Sequence, residues 1–275
     1  MVDVHCHLNL HAFDEDYDEV AKRAFEAGVR LIVNTGTSIP SSRKAIELAG
    51  KYNNMYAIIG VHPHHADKAD IEFEGEIQND WYEKLKDLAK SEKAIGIGEI
   101  GLDYHTYKSN GIVDPKVQED AFRKQIELAI ELKLPLQIHN RQAGEDVVKI
   151  LSEYKTKFHD PPGMFHCFAG TFDVLRDALA LGFYIGFDGN VTYKGIAPGE
   201  TVALTDLVHK VPLDRILTET DSPFLTPVPL RGERNTPKNV IIIGEYLASQ
   251  KGVSFLEFEE AVEDNFEELF KVKVS

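Results

Sequence analysis

The sequence has few of the features that mark secreted or membrane proteins. Its 275 residues include only two cysteines, Cys6 and Cys167, so a disulfide framework is not expected. The N-terminal residues lack a basic segment followed by a long apolar run, which argues against a secretory signal. The uncharged stretch at 178–187 is far shorter than the roughly 20 residues that span a bilayer. These absences predict a cytoplasmic protein with no membrane partner.

Basic residues are scarce, with 30 Lys and Arg against 45 Asp and Glu and a net charge of −15. Such a charge argues against tight electrostatic binding to nucleic acid or to an anionic membrane. However, the excess is concentrated in segment 67–83, with seven acids and one lysine, and in segment 254–270, with seven acids and no base. The rest of the chain is close to neutral, so the total charge does not exclude a polyanionic substrate.

Short apolar runs alternate with longer amphipathic stretches along the whole chain. Eight runs have the length of strands, and they lie at 2–7, 29–34, 55–61, 94–99, 135–139, 164–167, 183–187 and 215–220. Strand–helix alternation indicates a parallel sheet, because parallel neighbours need long crossover connections. With no linker in the sequence, eight such units predict a single-domain α/β (β/α)8 TIM barrel over residues 1–275.

The stretch 114–133 is the clearest predicted helix. Asp114 can cap its N-terminus, and Pro115 suits the first helical position. Apolar residues recur there at the helical period and predict one buried face, formed by Val117, Ala121, Phe122, Ile126, Ala129 and Ile130. The segment 240–274 predicts two or three further helices on the outer ring.

Ionisable residues gather where the predicted strands end. These residues are His5, His7, His62, Glu99, His139, His166 and Asp221. In a (β/α)8 barrel the carboxyl ends of the strands form one face, which carries catalysis. Residues far apart in the sequence are therefore expected to meet there.

The segment His5-Cys6-His7 is the sharpest local signal for a metal site. Residues i and i+2 of a strand point to the same side, so both imidazoles are expected to face the barrel interior. A lone pair of this kind is as often two hydrogen-bonded core histidines, but similar residues at further strand ends favour metal binding. A carboxylate among histidines is a natural bridge between two metal ions, so Glu99 is a candidate for that position.

Four further residues are candidates for binding substrate. His62 and His64 flank a proline after the third predicted strand, which fits loop residues better than rigid ligands. Arg141 and Arg231 could clamp phosphate groups, although surface charge is the simpler interpretation of an arginine.

Several motifs occur in an order that resembles the TatD-type metal-dependent deoxyribonucleases of the amidohydrolase-like superfamily. They are DVHCHL, GVHPHH, GEIGLDY, LPLQIHNR, FHCFAG, LTETDSPFLTPVP and RGERNTPKNV. The resemblance implies that His5, His7, Glu99, His139, His166 and Asp221 hold a divalent-metal centre. It also implies hydrolysis of DNA, often from the 3′ end of single strands. Gln142 replaces an acid that is usual in the family, and FAG replaces the commoner FSG.

The sequence therefore predicts a phosphodiester hydrolase in which two divalent ions (Zn, Mn, Co or Mg) activate water. Asp221 and Glu99 are the predicted catalytic residues, with Asp221 receiving the proton of the water. DNA is the expected substrate, with single strands or ends preferred, and no obligate protein partner is evident. The alternative is another hydrolase of the same superfamily, acting on a small amide, lactone or phosphoester. Many members of that group have a bridging lysine at the end of the fourth strand. This chain has Glu99 there, and the next lysine after it is Lys108.

Overall fold

Eight parallel strands pair in chain order in the computed structural model, which describes residues 1–69, 81–108 and 111–274. They are β1 (Val2–Cys6), β2 (Leu31–Thr35), β3 (Met55–Ile59), β4 (Ala94–Asp103), β5 (Leu136–Arg141), β6 (Gly163–Phe165), β7 (Tyr184–Phe187) and β8 (Ile216–Thr218). Each strand is parallel to the next, and β8 returns to β1. The predicted (β/α)8 barrel is confirmed.

Helices connect the strands and cover the outside of the barrel. Within the described ranges they are α1 (Tyr17–Glu26), α2 (Ile39–Ala49), α3 (Trp81–Leu88), α4 (Pro115–Leu132), α5 (Gly144–Glu153), α6 (Phe172–Ala180), α7 (Leu204–Lys210), α8 (Val240–Lys251) and α9 (Phe255–Phe270). Two helices thus form the C-terminal segment. None of the helices in these ranges is long and apolar enough to cross a membrane.

The barrel closes between β8 and β1 through side chains as well as backbone. The buried carboxylate of Asp3 accepts hydrogen bonds from the Thr220 hydroxyl at 2.7 Å and from its backbone N–H at 2.9 Å. The backbone N–H of Asp221 donates to the carbonyl of His5 at 2.9 Å. The closure therefore fixes the segment after β8 directly beside the end of β1.

Helix α4 begins as predicted, with the Asp114 side chain accepting from the N–H of Lys116 at 2.8 Å. The prediction of a buried Val117 is wrong, because this residue is 37% exposed. Gln118 occupies the inward position of that turn instead. Its side-chain amide donates to the backbone carbonyl of Asp103 at 2.9 Å, so a polar residue anchors the helix to the end of β4.

Strand β4 runs four residues past Glu99, and its register against β5 shifts between Ile97 and Ile100. Gly101, with φ of +147°, lies next to His139 in this irregular segment. A Cβ atom on Gly101 would lie 2.0 Å from the carbonyl oxygen of His139, so only glycine fits. The irregularity brings β4 and β5 close together where each contributes a polar side chain.

One of the two acidic segments lies away from the carboxyl ends of the strands. Segment 254–270 is essentially α9, whose Glu259 and Glu263 form ion pairs with the N-terminal ammonium group of Met1, just before β1. The other segment, 67–83, falls largely outside the described residues. Thus α9 does not place its negative charge at the barrel face where the polar residues meet.

Candidate metal centre

The structure brings all six predicted metal-binding side chains together at the carboxyl ends of the strands. They are His5, His7, Glu99, His139, His166 and Asp221, each at most 15% exposed in its side chain. The two oxygens of Glu99 divide them into two groups, which we call the first and second clusters. The first contains His5, His7 and Asp221, and the second contains His139 and His166.

His5 and His7 direct the same ring nitrogen toward one point. Nδ1 of His5 lies 2.8 Å from Oε1 of Gln137, whose amide nitrogen donates to the carbonyl of Val4. Nδ1 of His7 lies 2.9 Å from the carbonyl oxygen of Thr35. Both Nδ1 atoms must therefore donate, which leaves an Nε2 lone pair on each neutral ring. These two Nε2 atoms are only 3.0 Å apart, an arrangement that a shared cation satisfies.

Two carboxylates complete the first cluster. Oδ1 of Asp221 lies 3.6 Å from Nε2 of His5 and 3.3 Å from Nε2 of His7. Oε2 of Glu99 lies 3.7 Å and 3.8 Å from the same two nitrogens. Two imidazoles and two carboxylates on one point form a donor set suited to a divalent metal.

The second cluster lies on the opposite side of Glu99. Oε1 of Glu99 is 2.7 Å from Nδ1 of His139 and 3.7 Å from Nε2 of His166. The remaining nitrogen of each ring meets a buried carboxylate, Asp103 at 3.0 Å for His139 and Glu219 at 3.0 Å for His166. Each carboxylate fixes the orientation of its imidazole and leaves the inner nitrogen facing Glu99.

Imidazoles and carboxylates lie close together in the centre, and each kind of group shifts the pKa of the other. Burial alone would lower the pKa of His139, but hydrogen bonds to two carboxylates outweigh it and raise the pKa to about 9. Burial is likewise outweighed by the charge of Glu219, so the pKa of His166 rises to about 10. Burial would raise the pKa of Glu99, yet the charge of His62 and the neighbouring rings hold it well below its usual value. Glu99 is therefore an ionised carboxylate held among cation-forming groups.

Sequence reasoning missed three side chains that orient the histidines. Gln137 precedes His139 by two residues on β5, and Glu219 precedes Asp221 by two, so the period of two was the available signal. Asp103 also follows Glu99 at an even spacing, by four residues, but it lies beyond the predicted end of that strand at residue 99.

His62 and His64 lie beside the second cluster, as expected for loop residues near the site. Nε2 of His62 is 3.4 Å from Oε1 of Glu99, and Nε2 of His64 is 3.2 Å from Oδ2 of Asp103. His62, Asp103 and His139 also form a group whose ligand atoms lie within 4.8 Å of one another.

The two predicted phosphate-binding arginines lie farther out and are exposed. Arg141 ends β5 and donates to the hydroxyl of Tyr107, which in turn donates to Asp103 at 3.0 Å. Arg231 follows β8, and its guanidinium stacks 4.1 Å from the centroid of the Tyr193 ring. Within the described ranges neither arginine forms an ion pair closer than 4.0 Å, so both charges are available at the rim of the site.

Comparisons with known proteins agree with this geometry. A family model described as TatD related DNase matches residues 2–271. The chain is 40% identical over 273 residues to the uncharacterized metal-dependent hydrolase YabD of Bacillus subtilis, covering 99% of each. It is 33% identical over 276 residues to the 3′-5′ ssDNA/RNA exonuclease TatD of Enterobacter lignolyticus, again covering 99% of each. The crystal structure of YJJV, a TatD homolog from Escherichia coli, superposes with a TM-score of 0.85 at 25% identity, covering 99% of this chain and 98% of that one.

Proposed function

This chain belongs to the TatD related DNase family and is a metal-dependent hydrolase, and from that premise we propose that it cleaves phosphodiester bonds in single-stranded DNA. One observation carries the proposal: Glu99 presents one oxygen to each of two clusters of metal-binding atoms. A carboxylate in this position suits a pair of ions, and paired ions are typical of enzymes that cleave phosphodiesters.

The donor atoms fit two divalent ions. His5, His7 and Asp221 would hold one, His139 and His166 the other, and Glu99 would contact both. Four imidazoles favour Zn²⁺, Mn²⁺ or Co²⁺, whereas Mg²⁺ prefers a shell of oxygen ligands. When bound, such a pair supplies Lewis acidity to the attacking and leaving oxygens and a nucleophile at neutral pH.

The chain's own residues would supply the remaining functions. Asp221 is 14% exposed at the open side of the first cluster, where its carboxylate would orient the attacking water and accept its proton. His62 and His64, 12% and 16% exposed beside the second cluster, would position the phosphate. Arg141 and Arg231 at the rim would contact neighbouring phosphates of the strand.

Two observations favour ends of single strands over duplex DNA. A relative across the whole chain is named a 3′-5′ ssDNA/RNA exonuclease. The net charge of −15 provides little of the non-specific attraction on which duplex-binding proteins depend. We therefore propose removal of nucleotides from the 3′ end of single strands.

The direct test uses oligonucleotides labelled at the 5′ end, single-stranded and duplex, with metal-free protein and added Mg²⁺, Mn²⁺, Co²⁺ or Zn²⁺. We expect the single strand to shorten stepwise from its 3′ end with at least one of these ions. Chelator and the Asp221→Asn variant should both abolish the reaction. Intact DNA under all conditions, with turnover of a lactone or small amide, would instead establish the alternative hydrolase.

A further inference from the structure

Apolar side chains are exposed around the mouth of the candidate metal centre. Of the seven large apolar residues exposed in the described part of the chain, six lie in the loops after β4, β6, β7 and β8 or in the first turns of the helices that follow. These six are Ile112, Val117, Phe172, Ile196, Phe224 and Val228. The seventh, Leu256, lies on α9. Exposed apolar groups concentrated at one functional face indicate a binding surface.

Phe224, one member of this set, lies beside a proposed metal ligand. It is 53% exposed, and its ring centroid lies 6.4 Å from that of His7 in the first cluster. Its backbone N–H donates to the carbonyl of Asp221 at 2.8 Å. A single tight turn therefore joins the proposed proton acceptor to an exposed aromatic ring.

The backbone that carries Phe224 is held in place from beneath. The amide group of buried Asn235 donates to the carbonyls of Phe224 at 2.6 Å and Thr220 at 2.8 Å. Its backbone N–H donates to the carbonyl of Pro223 at 3.1 Å, and Asn239 donates to its side-chain oxygen at 2.8 Å. A fixed backbone under an exposed ring gives a preorganised contact surface, which reduces the entropy lost on binding.

We propose that the ring of Phe224 stacks on the nucleobase of one of the two nucleotides that flank the scissile phosphate. This inference rests on the proposed function, and it identifies the substrate as a strand recognised through its base. Stacking suits an acidic protein because it depends on the face of the base and not on phosphate charge. It also selects for single strands, since the bases of a duplex are already stacked on their neighbours.

The test measures the preference for a base at each flanking position. Single-stranded oligonucleotides with an abasic residue at the 3′ end, or at the preceding position, are compared with the intact strand by kcat/KM. At one of the two positions we expect kcat/KM of the wild-type protein to be about 5- to 150-fold higher for the intact strand than for the abasic strand. This range corresponds to the free energy of stacking on one base. Phe224→Ala and Phe224→Leu should bring that ratio close to 1, whereas Phe224→Trp should preserve it. Leu256→Ala, an exposed apolar residue on α9, is the matched control and should retain the wild-type ratio.

Binding provides a readout that does not need turnover. A strand carrying 2-aminopurine at the sensitive position should lose fluorescence on binding to Asp221→Asn protein. The double variant Asp221→Asn, Phe224→Ala should bind without this loss of fluorescence. If wild-type protein cleaves DNA but Phe224→Ala keeps the wild-type ratio at both positions, the stacking proposal is wrong and the nuclease function stands. If the wild-type protein neither binds nor cleaves any of the strands, the proposed function itself fails, and the stacking proposal with it.

Discussion

Oδ2 of Asp103 lies 3.0 Å from Nε2 of His139, on the side of the imidazole that faces away from Glu99. Asp103 is completely buried and also accepts a hydrogen bond from the hydroxyl of Tyr107 at 3.0 Å. Its carboxylate thereby holds His139 with Nδ1 toward Glu99, as outer carboxylates hold the histidine ligands of metal enzymes. We therefore infer that Asp103 positions His139 and is not itself a metal ligand.

Replacing Asp103 should weaken binding of the second ion. In Asp103→Asn the charge that orients His139 is lost while the side chain keeps its size, so we expect affinity for the second ion to fall about 10- to 100-fold. Competition with a chromogenic chelator measures both binding steps. Asp146→Asn is the matched control, because Asp146 also accepts a tyrosine hydroxyl, that of Tyr104 at 2.9 Å, but at the surface. Equal affinities in the wild type and the Asp103 variant would show that Asp103 has no positioning role.

Replacing Glu99 should affect both clusters together. In Glu99→Gln one oxygen becomes an amide nitrogen that cannot bind a cation, and the negative charge shared by both clusters is lost. We expect the metal content to fall from about two ions per chain to one or fewer, measured by elemental analysis after dialysis. Glu127→Gln, on the exposed side of α4, should keep the wild-type content. Two tightly held ions in Glu99→Gln would contradict a bridging carboxylate.

Metal binding should release protons and become tighter as the pH rises. Without metal, the pKa values of about 9 for His139 and about 10 for His166 keep both rings protonated at pH 7.5. A metal binds only the deprotonated nitrogen, so binding should release about two protons per chain at this pH. Calorimetry in two buffers of different ionisation enthalpy measures the release, and affinity should increase between pH 7 and pH 9. Binding that is independent of pH over this range would contradict the coupling of metal binding to deprotonation of these two rings.

Gly101 should be intolerant of any side chain. A Cβ there would meet the carbonyl oxygen of His139 at 2.0 Å, so Gly101→Ala must displace β5 at a proposed ligand. We expect the free energy of unfolding to fall by about 3 kcal/mol or more, measured by denaturant titration. The control is Gly111→Ala, since Gly111 also has a positive φ, +70°, but has no atom within 4 Å of its Cβ position. If the free energy of unfolding falls by a similar amount in both variants, the effect arises from the backbone conformation alone and not from the contact with His139.

The strands, and the meeting of six ionisable side chains at the strand ends, could be predicted because both follow local rules. Apolar runs bounded by helical patterns located all eight strands to within a few residues. Alternation along β1 placed His5 and His7 on one side, and the geometry of parallel barrels brought the strand ends together. These inferences need only sequence spacing and the position of each residue in its strand.

The roles of Asp103 and Gln118 could not be predicted from spacing, because they depend on irregular packing. Asp103 lies beyond the predicted end of its strand, in a part of β4 that follows the register shift and contains the close approach at Gly101. Apolar periodicity predicts Val117 in the core, but Gln118 is the inward residue because its amide forms hydrogen bonds with the backbone of Asp103. Hydrogen bonding of a buried polar group here outweighs apolar periodicity, and spacing alone does not reveal it.

Glu99 is proposed to lie between two metal ions and to bridge them. Anomalous diffraction from crystals grown with Mn²⁺ or Zn²⁺ tests it most directly. We expect two peaks with Glu99 between them, one beside Nε2 of His5 and His7 with Asp221, and one beside Nδ1 of His139 and Nε2 of His166. A single peak, or a second peak at Nε2 of His139 between Asp103 and His62, would contradict it.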